Sequence, residues 1–127
     1  MMWSEKMTGG EVMELFRIYQ NKSFLVVEFT GESLLPQATL RDLPGVLYPL
    51  AEHHSKIIFD LSKVRDISSQ FIGIIVAMHT KLSRAKGKLM LVGLSDKLQE
   101  LMALTRLDRI IAIKPTVRDA VERDAFL

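Results

Sequence analysis

Apolar and polar positions along this chain alternate between two periods. In SFLVVEF, Leu25, Val27 and Phe29 alternate with Phe24, Val26 and Glu28, a period of two that predicts a strand over Ser23–Phe29. A shorter run, Leu15–Tyr19, precedes it, and Gln20, Asn21 and Lys22 join the two as a hairpin. TGESLLPQ then reads as a loop. In ATLRDLPGVLYPLAEH the period lengthens, with Leu40, Leu43, Leu47 and Leu50 at helical spacing. Pro44 and Gly45 interrupt it, so the helix is expected to start near Pro44 or to kink there.

The short apolar run KIIFDLS predicts a buried strand over Ile57–Leu61. A helix is expected from Ser68 or Ser69 through QFIGIIVAMHTKLSRAK, ended by Gly87 in a left-handed cap. KLMLVG predicts another strand. SDKLQELMALT predicts a helix with Leu98, Leu101 and Met102 on one face and Ser95 as its cap. RIIAIK is a further buried strand, and PTVRDAVERDAF closes the chain as a helix capped by Thr116, with Asp119 in its first turn.

Strands that alternate with helices imply crossover connections and a largely parallel sheet with helices packed on it. The leading hairpin makes that sheet mixed, so the fold class is α/β with a mixed central β-sheet. The length of 127 residues suits one domain, expected over 13–127 behind a flexible lead-in over 1–12. Sites in such folds open at the carboxyl ends of strands. DISSQFIG, Asp66 to Gly73, is one of those turns.

Composition narrows the class. Hydrophobic residues at 48% and charged residues at 25% are the balance of a globular protein. No apolar stretch approaches the about 20 residues of a membrane span, and the amino end lacks the pattern of a secretory signal. No membrane insertion is expected. The absence of cysteine suits a reducing compartment, with the cytoplasm as the default. The charge of +2 could suggest nucleic acid, but the basic residues are dispersed and no aromatics are interleaved among Lys81, Arg84, Lys86 and Lys88. Direct nucleic-acid binding is therefore not expected.

No catalytic set stands out: there is no phosphate-cradling GxxxxGK[ST] loop, no GxGxxG after a strand and no HExxH. His53 and His54 are adjacent and point in different directions, and His79 stands apart, so no metal site and no cofactor are expected. Asp60 and Asp66 flank a strand end, as Mg²⁺-binding carboxylates do in phosphoryl-transfer folds, but loop solvation and turn chemistry account for both more simply. The paired serines admit two readings. One serine suffices to cap a helix. A second, in the first turn, faces the positive end of the helix dipole, where a phosphate would be held by free N–H groups.

The order FLVVEFTGE, IIFDLS, DISSQFIG, KLMLVGLS and TVRDAV, from the first strand to the last helix, resembles the STAS domain family of bacterial anti-sigma-factor antagonists. The family pattern has a strand ending in Asp-Leu-Ser, then Asp-Ser-Ser-Gly-Leu-Gly or a variant, a helix, a glycine, and a strand like LxLVGLS. The resemblance implies a non-catalytic regulator. In the antagonists, a serine at the start of the helix after the third strand is phosphorylated by an anti-sigma factor that is itself a serine kinase. Unphosphorylated, the antagonist binds that kinase; phosphorylated, it lets go. Aligning Ile72 and Gly73 with the family's Leu-Gly puts Ser69 on the acceptor, Ser68 on the residue before it (and the alternative acceptor), and Asp60 on the strand-end aspartate.

Partners implied by the resemblance are the kinase and a phosphatase, with a homodimer left open. The partner-binding surface is expected to include Asp60, Asp66, Ser68, Ser69 and Gln70, with Phe71, Ile74 and Met78 as a docking face around Ser69. The helix FIGIIVAMH is apolar over more than one core stripe, which a position between the sheet and a neighbouring helix would also explain. Three departures stand out. Gln70 replaces a small residue, Phe71 replaces glycine and adds apolar surface in a kinase's path, and Arg106 replaces a common glycine, which a different turn would absorb. A static STAS scaffold, as in stress-sensing or envelope lipid-transport complexes, and a nucleotide-binding or hydrolytic enzyme of the same topology are the alternative functions.

Overall fold

The computed structural model describes residues 16–34 and 37–124. The lead-in expected over 1–12 lies outside the described residues, as does Leu15, where the first strand was expected to begin. β1 (Phe16–Asn21) and β2 (Phe24–Phe29) pair antiparallel with Arg17 opposite Glu28, and Lys22, at φ 54°, starts the two-residue turn between them. The hairpin is thus tighter than the sequence suggested.

After a short β3 (Ser33–Leu34) come α1 (Gln37–Leu47) and a single turn, α2 (Leu50–His53). Pro44 lies inside α1, so of the two expectations the helix does not start there but runs through the proline. Burial of Leu40, Leu43 and Leu47, each stabilising by roughly 1.5–3 kcal/mol, offsets the backbone bond that proline cannot donate.

β4 (Lys56–Asp60), β5 (Asp66–Ile67), α3 (Ser69–Arg84), β6 (Lys88–Val92), α4 (Asp96–Leu104) and β7 (Ala112–Lys114) follow, and α5 (Val117–Asp124) comes last. The main sheet has the order β1-β2-β4-β6-β7, with β2, β4, β6 and β7 parallel. The mixed α/β sheet is the one the sequence implied.

Its two faces bury different residues. Leu25, Val27, Phe29, Ile57, Phe59, Leu89 and Leu91 pack with α1, α3 and α4 in the larger core. Phe24, Val26, Ile58, Met90 and Val92 pack with Ala120 and Val121 of α5 in the smaller one. Both faces of β2 are therefore covered, so its alternation separates two cores rather than core from solvent.

Two turns differ from expectation. The left-handed residue after α3 is Lys86, at φ 63°, and Gly87 serves another purpose: a Cβ there would lie 2.1 Å from the Ser55 carbonyl oxygen, which Lys88 N–H reaches at 2.7 Å. Arg106 keeps a left-handed turn, at φ 63°, instead of a different one. It occupies a conformation that side chains adopt at a cost of about 1–2 kcal/mol.

Candidate functional site

The DISSQFIG turn is built from three directions. β4 ends at Asp60, whose Oδ1 accepts from Ser62 N–H at 3.0 Å, and Leu61 N–H donates to the Val92 carbonyl at 3.0 Å. Asp60 is thereby engaged in turning the chain off the strand. Val64, buried, closes a turn back on Leu61.

The Glu32 carbonyl then accepts from Arg65 N–H at 2.7 Å and Asp66 N–H at 3.3 Å, and β5 pairs parallel with β3, Ser33 opposite Asp66 and Leu34 opposite Ile67. The segment leading into the serines is fastened to the loop that follows β2. Lys97, from the first turn of α4, donates to Asp66 Oδ1. That hydrogen bond holds the Asp66 carboxyl below its usual range, against a weaker opposing effect of burial.

Ser68 has an extended backbone, φ −94° and ψ 166°, and its Oγ accepts from Phe71 N–H at 3.2 Å. Its carbonyl accepts from Ile72 N–H at 3.1 Å. These are the bonds of a helix cap. Ser69 is the first helical residue and is exposed, as are Gln70 and Gly73. The two serines thus divide the roles that the sequence left open: one caps, and the other faces outward at the positive end of a 16-residue helix.

The expected docking face does not exist as a surface. Phe71 is 0% exposed, Ile74 3% and Met78 0%. All three belong to the larger core, because α3 lies between the sheet and the α1–α2 layer and spends its wide apolar face on both. Phe71 turns inward from the serine turn and meets Phe29 edge-on. It adds no apolar surface beside Ser69.

The sequence reading missed Lys97 and the groove it borders. A cavity of about 250 Å³ lies between Asp66 and Ile67 on one side and Leu98, Leu101 and Leu104 of α4 on the other. Leu104 is 75% exposed and falls off the core-facing stripe of α4, a signal present in the spacing of SDKLQELMAL.

A second cavity, about 350 Å³, sits at the carboxyl edge of the sheet beside Asp60, Gly93 and Thr116. Arg118 on its rim is paired with Glu122 at 2.9 Å, and Thr116 Oγ1 accepts from Asp119 N–H at 3.1 Å to cap α5. These side chains do not make a set of acid, base and nucleophile. Among the described residues no group of three or more metal-ligating side chains converges, and no helix is long and apolar enough to cross a membrane.

A family model for the STAS domain matches residues 14–120. The chain belongs to the STAS domain family. A Thermotoga maritima protein named as an anti-sigma factor antagonist is 36% identical over 73 residues, which are 58% of this chain and 65% of that protein, less than two thirds of its length. A crystal structure of a Thermotoga maritima protein of the same designation superposes with a TM-score of 0.76 at 24% identity, covering 88% of this chain and 96% of that one. The Bacillus protein SpoIIAA shares the STAS fold in both its forms. Unphosphorylated, as the anti-sigma factor antagonist, it gives a TM-score of 0.70 at 12% identity over 88% of this chain and 99% of its own. Phosphorylated, it gives 0.67 at 14% over 85% and 97%.

Proposed function

We propose that this STAS domain is an anti-sigma-factor antagonist: a non-catalytic regulator that binds an anti-sigma factor serine kinase when unphosphorylated and releases it when phosphorylated on Ser69. The observation that carries this reading is the division between the serines. Ser68 Oγ is committed to Phe71 N–H, while Ser69 is exposed at the first position of α3. A phosphate there gains the unpaired N–H groups and dipole of the helix end. Burial of Phe71 supports the same reading, since its ring stands inside the core rather than in the path of a kinase.

The partner surface on this reading is polar near the acceptor: Ser69 and Gln70 on α3, Ser68 as its cap, Asp66 on β5 and Asp60 at the end of β4. Phe71, Ile74 and Met78 have no direct part in it. A phosphatase resets the switch, and the cytoplasm is its setting.

The test is the phosphorylation state of the protein isolated from its own cells, by intact mass with fragment mapping, beside a Ser69→Ala control. Phosphate on Ser69 is expected in at least one growth state. Phosphate on Ser68 would move the acceptor by one residue, and none in any state would leave a static scaffold.

A further inference from the structure

We propose that Lys97 is the cation that receives a phosphate carried by Ser69, exchanging its ion pair with Asp66 for one with the phosphate. The proposal rests on Ser69 as acceptor and adds the residue of this chain that senses the modification.

Lys97 and Asp66 are 31 positions apart, on separate crossovers of the sheet, and their ion pair ties the first turn of α4 to the segment that enters the serine turn. Asp66 precedes Ser69 by three residues, a span of at most about 10 Å of chain. A lysine in the first turn of a helix opposes the dipole, so its place there calls for an anion opposite. Asp66 supplies one charge. A phosphoserine supplies roughly −1.5 to −2 and three acceptor oxygens, so it is the stronger partner.

Nothing locks Lys97 to Asp66. Its side chain is 74% exposed, on a flexible four-carbon stem. Two other charges stand near the turn: Arg65, 4.0 Å from Glu32 and close enough to Asp66 to favour its charged form, and Glu100, farther along the groove; neither is hydrogen-bonded to Asp66 as Lys97 is. Lys97 also borders the apolar groove of Ile67, Leu98, Leu101 and Leu104. Turning it to the phosphate uncovers the Asp66 carboxylate and redraws that rim, so one modification alters two neighbouring surfaces.

The experiment places phosphoserine at position 69 of the full chain during translation, so no kinase is needed, and follows the phosphate by ³¹P NMR across pH. The wild type is compared with Lys97→Ala and Lys97→Arg. A nearby cation favours the dianion, so the titration midpoint is expected to rise by roughly half a pH unit in Lys97→Ala, about threefold in proton affinity. Lys97→Arg should restore most of the difference, and the rise on Lys97→Ala should persist in an Asp66→Asn background, which a lysine that only neutralises Asp66 would not predict. Equal midpoints in all three proteins, or a lower one in Lys97→Ala, overturn the proposal. Failure of Ser69 to be phosphorylated in cells is read separately, by mass, and leaves this titration intact.

Discussion

Phe71 stands edge-on to Phe29, ring centroids 5.2 Å apart and planes at 84°, and so anchors the amino end of α3 to the central sheet one strand away from β4. Phe29 also meets Phe59 at 5.2 Å and Phe16 at 5.9 Å, which makes Phe71 one member of an aromatic cluster beneath the serine turn. Each such pair adds about 0.5–1.5 kcal/mol beyond area burial. Phe71→Ala should therefore cost about 3–5 kcal/mol of unfolding free energy in a urea titration. A loss below about 1 kcal/mol would mean that the ring is not packed as described.

The serines should separate in the same assay. Ser68→Ala removes the acceptor for Phe71 N–H and should cost about 1 kcal/mol, whereas Ser69→Ala, at an exposed position, should stay within about 0.5 kcal/mol. Thermal melts of the two variants decide it. The reverse order would make Ser69, not Ser68, the residue that caps the helix.

Arg106 is left-handed at the end of α4, where a glycine would be unstrained. Arg106→Gly should stabilise the fold by up to about 1 kcal/mol, the relief being partly offset by glycine's greater freedom when unfolded. A destabilised variant would show that the arginine side chain makes a contact worth more than the strain.

Gly73 within α3 and Gly87 just before β6 should respond oppositely. Gly73 is exposed and a Cβ there meets nothing within 4 Å, so Gly73→Ala should stabilise by about 1 kcal/mol. Gly87→Ala drives a Cβ to within 2.1 Å of the Ser55 carbonyl oxygen and should destabilise by about 1–3 kcal/mol as β4 and β6 shift apart there. Equal effects on the denaturation midpoint would contradict the close approach at Gly87.

Why the sequence showed the fold but misplaced part of the site follows from what periodicity reports. The spacing of Leu98 and Met102, the caps Ser95 and Thr116, and the runs KIIFD and KLMLV are local signals, and the elements form where those signals stand. Phe71, Ile74 and Met78 also carry a local signal, a wide apolar face, but whether such a face meets solvent or a second layer depends on α1 and α2 packing across it. That is a tertiary fact. Lys97 and Asp66 are farther still from legibility, because a pair joined across 31 residues leaves no spacing to read. Ser68 and Ser69 fall between: the sequence narrowed the cap to two neighbours, and only the backbone at Ser68, extended before the helix turns, separates them.

Glu28 sets the acid limit of the hairpin. It is the one buried charged residue among those described, 7% exposed, and it accepts from Arg17 Nε directly across the β1–β2 pair with Lys63 Nζ 3.4 Å away. The Arg17 hydrogen bond holds its carboxyl below the usual glutamate range, with burial pulling the other way. A lowered folded-state pKa means stability that is fully present above the ordinary glutamate range and is lost as pH falls through the folded value. Glu28→Gln should thus cost roughly 1 kcal/mol at neutral pH, because Arg17 is largely exposed and its charge well screened, and that difference should shrink as the wild type is acidified. Denaturation midpoints for both proteins at several pH values test this. A gap that stays constant from neutral pH to below the glutamate range would show that Glu28 acts through packing rather than through its charge.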